Sequence, residues 1–78
     1  MEEIYVMNRN FGKCTVLCFF RNVAILELEH NYEKYVVAVG LSIKENSWQY
    51  GYYYREFKDA AKVFNNILED FYMVSFIF

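Results

Sequence analysis

Cys14 and Cys18 stand four residues apart, the interval at which two thiolates on a helix can share a metal. The run that carries them is rich in β-branched and aromatic residues and reads as a strand. On a strand that interval puts both thiols on one face about 13 Å apart, too far for one metal or a mutual disulfide. They read instead as small apolar residues. Glu27 and Glu29 share a strand face about 7 Å apart, loosely the arrangement of paired glycosidase carboxylates. No sugar cleft accompanies them, and Lys34 is expected opposite Glu29, so they read as solvated charges. The one histidine, His30, lies at a turn. Ser42, Ser47 and Ser75 lack the glycines of a nucleophile elbow. Three glycines, Gly12, Gly40 and Gly51, make no phosphate-cradling loop. The expectation is a chain with no catalytic residue, metal site or cofactor, and not an enzyme.

Gly51-Tyr52-Tyr53-Tyr54-Arg55-Glu56-Phe57 partly fits the aromatic strand of RNA-recognition motifs. Tyr50 stands where a basic residue should precede the glycine, and Tyr53 where Gly or Ala is expected. Those domains also need two helices, and a single helix is read here. Eight basic against ten acidic residues give a net charge of −2, which disfavours phosphate binding. Base stacking on tyrosines tolerates any sequence and keeps a single-strand binder as an alternative.

The elements that would position these residues follow from hydrophobic period. Turn-like clusters at 8–12, 21–22, 31–32 and 44–47 separate strand-like runs at 3–8, 13–20, 23–29, 34–43 and 48–55. From Phe57 the period changes: Ala61, Phe64, Leu68 and Phe71 follow i, i+3, i+7 and i+10, the stripe of an amphipathic helix. The sequence predicts one α+β domain over 1–78, a five-stranded antiparallel meander with one C-terminal helix across one face. Hydrophobic residues at 56% and aromatics at 22% exclude disorder, and two cysteines are too few to staple a small fold. The N-terminus lacks a signal-peptide pattern, and no apolar run is long enough to span a membrane. A cytoplasmic protein is expected.

Each hairpin fixes which side chains share a face. Turning at 44–47 pairs Ile43 with Trp48, Leu41 with Tyr50, Val39 with Tyr52 and Val37 with Tyr54. Turning at 31–32 pairs Leu28 with Tyr35, Leu26 with Val37, Ala24 with Val39 and Glu29 with Lys34. Turning at 21–22 pairs Leu17 with Leu26 and Phe19 with Ala24. These pairs, Glu29–Lys34 apart, form one inner face for the helix to cover. A one-residue slip in any hairpin would exchange the faces beyond it. The outer face then carries Cys14, Val16, Cys18, Phe20, Ile25, Val36, Ala38 and Tyr53 beside Glu27, Glu29, Gln49 and Arg55. Gly40 and Gly51 face each other there and leave a shallow depression. Tyr5, Phe20, Tyr53, Phe76 and Phe78 are surplus to the helix-covered core. Such a face marks an interface, unless Phe71–Phe78 folds back over it. An edge strand or the Met73–Phe78 tail could also pair with another chain.

Lys34-Tyr35-Val36-Val37-Ala38-Val39, then Ser47-Trp48-Gln49-Tyr50-Gly51-Tyr52-Tyr53-Tyr54, then 60–64, resembles short acidic accessory proteins of bacterial phages and plasmids. In these a W-x-x-G-x-aromatic hairpin precedes one helix, and some are anti-CRISPR or other anti-defence inhibitors. The resemblance covers about residues 34–64 and carries no catalytic motif. It implies a stoichiometric inhibitor whose partner is a host protein, a CRISPR effector or another defence protein. The expected contact residues are Tyr53, Arg55, Gln49, Ile25, Phe20, Val36, Ala38, Gly40, Gly51, Glu27 and Glu29. The alternative is a homodimer that binds RNA, single-stranded DNA or a small ligand through exposed aromatics.

Overall fold

The computed structural model describes residues 3–72. The expected Met73–Phe78 tail, with Ser75, Phe76 and Phe78, lies outside them, and the side chain of Phe71 is likewise outside the description. Five strands form one antiparallel sheet in chain order: β1 Tyr5–Asn8, β2 Gly12–Phe20, β3 Val23–Leu28, β4 Tyr35–Val39 and β5 Tyr50–Tyr54. One helix, α1 Phe57–Tyr72, follows and packs on β3, β4 and β5. The fold is the α+β meander with a C-terminal helix that the hydrophobic period predicts.

The helix forms where the period changes from two to 3.6. Asp59 sits in its first turn, near the positive end of the helix dipole. Ala60, Phe64 and Leu68 bury its stripe against Val23, Ile25 and Val37 of the sheet. Cys18, Phe20, Tyr35, Val39 and Tyr54 pack around this cluster.

The registers depart from expectation at one hairpin in a way that matters. β3 and β4 pair Glu27 with Tyr35, Leu26 with Val36, Ile25 with Val37 and Ala24 with Ala38. That is one residue from the expected pairing, so the faces of β3 are exchanged. Ile25 points to the helix and is 1% exposed, whereas Leu26 and Ala24 point away from it. The turn causes the slip. Leu28 N–H donates to Lys34 O at 2.7 Å, and Asn31 Nδ2 donates to Glu33 O at 2.8 Å. The loop therefore spans 29–33, and Glu29 is not opposite Lys34.

The β4–β5 register is two residues from expectation, which preserves faces: Val37 opposes Tyr52, Val39 opposes Tyr50 and Ala38 opposes Gly51. Ser42 and Ser47 bridge across a turn at 43–46. Asn46 takes φ 56 there, a left-handed conformation that asparagine tolerates. In β2–β3 the hairpin end follows expectation, with Phe19 opposite Ala24. A bulge between Val16 and Cys18 then places Val16, not Leu17, opposite Leu26.

The face away from the helix is a second core, which replaces the expected open outer face. Val6, Cys14, Ala24, Leu26, Leu28, Val36 and Ala38 are buried together there, with Phe11, Val16, Leu41, Trp48 and Tyr53 packed against them. The sheet covers this face itself by rolling up. Residues 41–48 beyond Gly40, which takes φ 76, reach across to β1. Met7 N–H donates to Asn46 Oδ1 at 3.1 Å, and Asn8 Nδ2 donates to Asn46 O at 3.0 Å. The turn between β4 and β5 thus meets β1, at the far end of the sheet order, beside the second core.

Candidate functional site

The bulge at Leu17 sends the two cysteines to opposite faces, correcting the expectation that they share one. Cys14 opposes Leu28 in the second core, and Cys18 opposes Ile25 at the edge of the helix-side core. Both are free thiols, and burial pushes both above their ordinary pKa. Protonated thiols are poor nucleophiles and poor ligands. His30 and Glu29 are exposed, with Nε2 and Oε2 4.0 Å apart. Glu27 is half-buried opposite Thr15 and Tyr35. Ser42 and Ser47 exchange backbone bonds across their turn, and Ser42 Oγ accepts from Glu45 N–H. Among the described residues no three His, Cys, Asp or Glu side chains gather as metal ligands.

Several expected contact residues are not at the surface. Ile25, Val36 and Ala38 are core residues at 0–1% exposure. They form the two cores because β3 and β4 are apolar on both faces. Phe20 is half-buried against the helix-side cluster, with the Arg21 guanidinium 5.5 Å from its ring centre. Tyr53 is half-buried as well; Trp48 Nε1 donates to its hydroxyl at 3.4 Å, and the Phe11 ring lies 5.6 Å away. Gln49 and Arg55 are exposed, and Arg55 stacks over the Tyr32 ring at 4.6 Å.

The expected depression at Gly40 and Gly51 is filled, and the two glycines do not face each other. A Cβ on Gly40 would lie 2.8 Å from Gln49 Oε1. On Gly51 it would lie 2.7 Å from the Tyr53 hydroxyl and 2.8 Å from Trp48 Nε1. Glycine is needed at 51 because the Trp48–Tyr53 pair closes directly over that backbone.

The residues that do reach solvent come from the opposite side of the expectation. Phe19 is 60% exposed and Tyr50 is 65% exposed, although both were expected beneath the helix. Leu17, Ile43 and Tyr52 are exposed too. Ile4, Val16, Phe19, Arg21, Leu41 and Ile43 line a cleft of about 270 Å³ where the start of β1, the β2–β3 turn and the β4–β5 hairpin converge. Simple geometry could have found part of the exposed surface. A helix is about 10 Å wide and strands are about 4.8 Å apart, so one helix covers three strands and leaves β1 bare on its own face, which accounts for exposed Tyr5 and Met7 but not for the cleft on the other face. On the opposite face of β1 and β2, Lys13 Nζ bridges Glu3 at 2.8 Å and lies 5.3 Å from the Tyr5 ring centre. The hydrogen bond to Glu3, more than its charge, holds the Lys13 ammonium above its ordinary pKa.

What this arrangement can do chemically is bind. The cleft offers apolar walls, one guanidinium at its rim and an aromatic ring at its edge, which suits an apolar or aromatic side chain of another molecule. No protein-family model, curated protein or solved structure matches the chain.

Proposed function

We propose that the chain is a non-enzymatic interaction module that works by stoichiometric contact, an inhibitor of the anti-CRISPR or anti-defence kind carried by phages and plasmids. The observation that carries this reading is the apolar cleft at whose mouth Ile4, Phe19 and Ile43 are exposed, on a protein whose two cores are filled without those three side chains. Folding gains little from leaving these side chains in water, and burial of such a patch under a partner recovers the hydrophobic term. Phe19, with its ring mostly exposed, is the anchor, and Arg21 at the rim supplies direction through its planar donors. The resemblance of residues 34–64 to phage and plasmid accessory proteins supplies the class of partner, a host defence protein.

The test is expression of the chain in bacterial hosts that each carry one active CRISPR or other defence system, followed by challenge with a phage that the system restricts. Plaques should reappear in at least one host, and Phe19→Glu, folded by circular dichroism, should remove the effect. Unchanged restriction in every host, or full activity of a folded Phe19→Glu, would sink this reading.

A further inference from the structure

The two edges of the sheet are treated differently, and the backbone directions show how. Leu28 N–H bonds to Lys34 O, so Lys34 and, two by two along the strand, Val36 and Ala38 turn their N–H and C=O toward β3. Tyr35, Val37 and Val39 therefore turn theirs toward β5, in keeping with the bond from Gln49 N–H to Val39 O. Their partners Tyr54, Tyr52 and Tyr50 turn back toward β4. Gly51 and Tyr53 are left with N–H and C=O directed out of the sheet. Among the described residues no hydrogen bond reaches these four groups. At the other edge Met7 N–H, directed outward in the same way, is taken by Asn46 Oδ1.

The β5 edge also lacks the usual protections. Tyr50–Tyr54 contains no charge and no proline, and 49–52 are exposed without interruption. We propose that this edge pairs with the β5 edge of a second copy, antiparallel about a two-fold axis through Tyr52. That register sets Gly51 opposite the second copy's Tyr53 and Tyr53 opposite its Gly51, so the four outward groups satisfy one another. Tyr52 meets its own copy across the axis, and Tyr50 meets Tyr54, giving aromatic pairs along the helix-side face. One step further out, Arg55 meets Gln49, so no like charges oppose. A second copy is favoured over a foreign strand because the sequence around Tyr52 complements itself at every pair. Five residues of edge make a small contact beside the roughly 800 Å² per partner of a standard complex, so the dimer is expected to be weak and reversible. The inference is separate from the apolar cleft, which β5 does not line.

Sedimentation of the full chain from low-micromolar to near-millimolar concentration should show the mass rising from 9.5 kDa toward twice that value. Tyr52→Lys sets two ammonium groups directly opposite and should weaken self-association by at least about tenfold. A second variant reads the register. Non-hydrogen-bonded antiparallel partners have Cα atoms about 4.5 Å apart, within disulfide range. Tyr52→Cys should therefore link to its own copy under mild oxidation, whereas Tyr50→Cys, which faces Tyr54, should link far more slowly. A chain that stays at 9.5 kDa throughout, including one whose edge serves only a foreign strand, overturns the proposal. So does equal cross-linking of the two cysteine variants.

Discussion

The two faces of the sheet bury similar side chains by different means. On one, a separate element, α1, lays Ala60, Phe64 and Leu68 over Val23, Ile25 and Val37. On the other, the sheet rolls up, and Trp48, Leu41 and Phe11 close over Leu26, Leu28, Val36 and Ala38. The first face owes its cover to helix amphipathicity, a property of one segment. The second owes it to turns and a positive-φ glycine that bring separate segments of the chain together. A chain of 78 residues has little apolar material to spare, and using both faces of a single sheet doubles the core that one sheet supports.

The sharpest way to break this comparison is to open each core in turn. Leu26→Ala and Leu68→Ala should each cost about 2–5 kcal/mol in urea unfolding, a large part of the roughly 4–12 kcal/mol expected for a domain of this length. A Leu26→Ala cost below about 1 kcal/mol, the surface range, would mean that the rolled face is not a true core. Gly51→Ala should cost about 1–3 kcal/mol by overpacking against Trp48 and Tyr53. It should also shift Trp48 fluorescence and leave helix ellipticity intact; an unshifted spectrum would show that the aromatic lid does not rest on that glycine. The smallest effect is expected at the closure of the roll. Asn46→Gly keeps the backbone at φ 56 accessible but removes the side-chain acceptor for Met7 N–H, costing about 1 kcal/mol. Hydrogen exchange at Met7 should quicken while amides at Phe64 and Leu68 hold their protection. Equal quickening at both places would argue that the two faces do not differ in how they are covered.

The difference between the faces also explains what was legible in the sequence. The helix was legible to the residue at its start, because polar Lys62, Asn65, Asn66, Glu69 and Asp70 mark its wet side. The strand order followed from short turns between strand-like runs. Face assignment from the sequence fails at β3, where Val23-Ala24-Ile25-Leu26 is apolar at every position, while on β4 Val37 and Val39 do face the helix and it is the burial of the opposite face that alternation does not show. Alternation carries no information when both faces are buried. The bulge at Leu17 was equally silent, since Val, Leu and Cys fit either face. The contact residues inherited these errors. Ile25 and Phe19 change face with the slipped register, whereas Val36 and Ala38 keep their face and are buried by the second core, and Tyr50 keeps its face and lies beyond the helix's cover.

The order of strands in the sheet is their order in the chain, and this shapes how the protein is made as well as how it stands. As the chain leaves the ribosome, each strand meets a neighbour that has already emerged, and each pairing closes only a short loop. Such low contact order favours fast folding with little time for unpaired edges to aggregate. The bonds from Asn46 to β1 span 38 and 39 residues and must wait for the fourth turn. The helix, last of the described elements, arrives later still. During synthesis the rolled core can therefore begin to assemble while Ile25 and Val37 still face water, and the final turns of α1 turn a half-covered sheet into a finished domain.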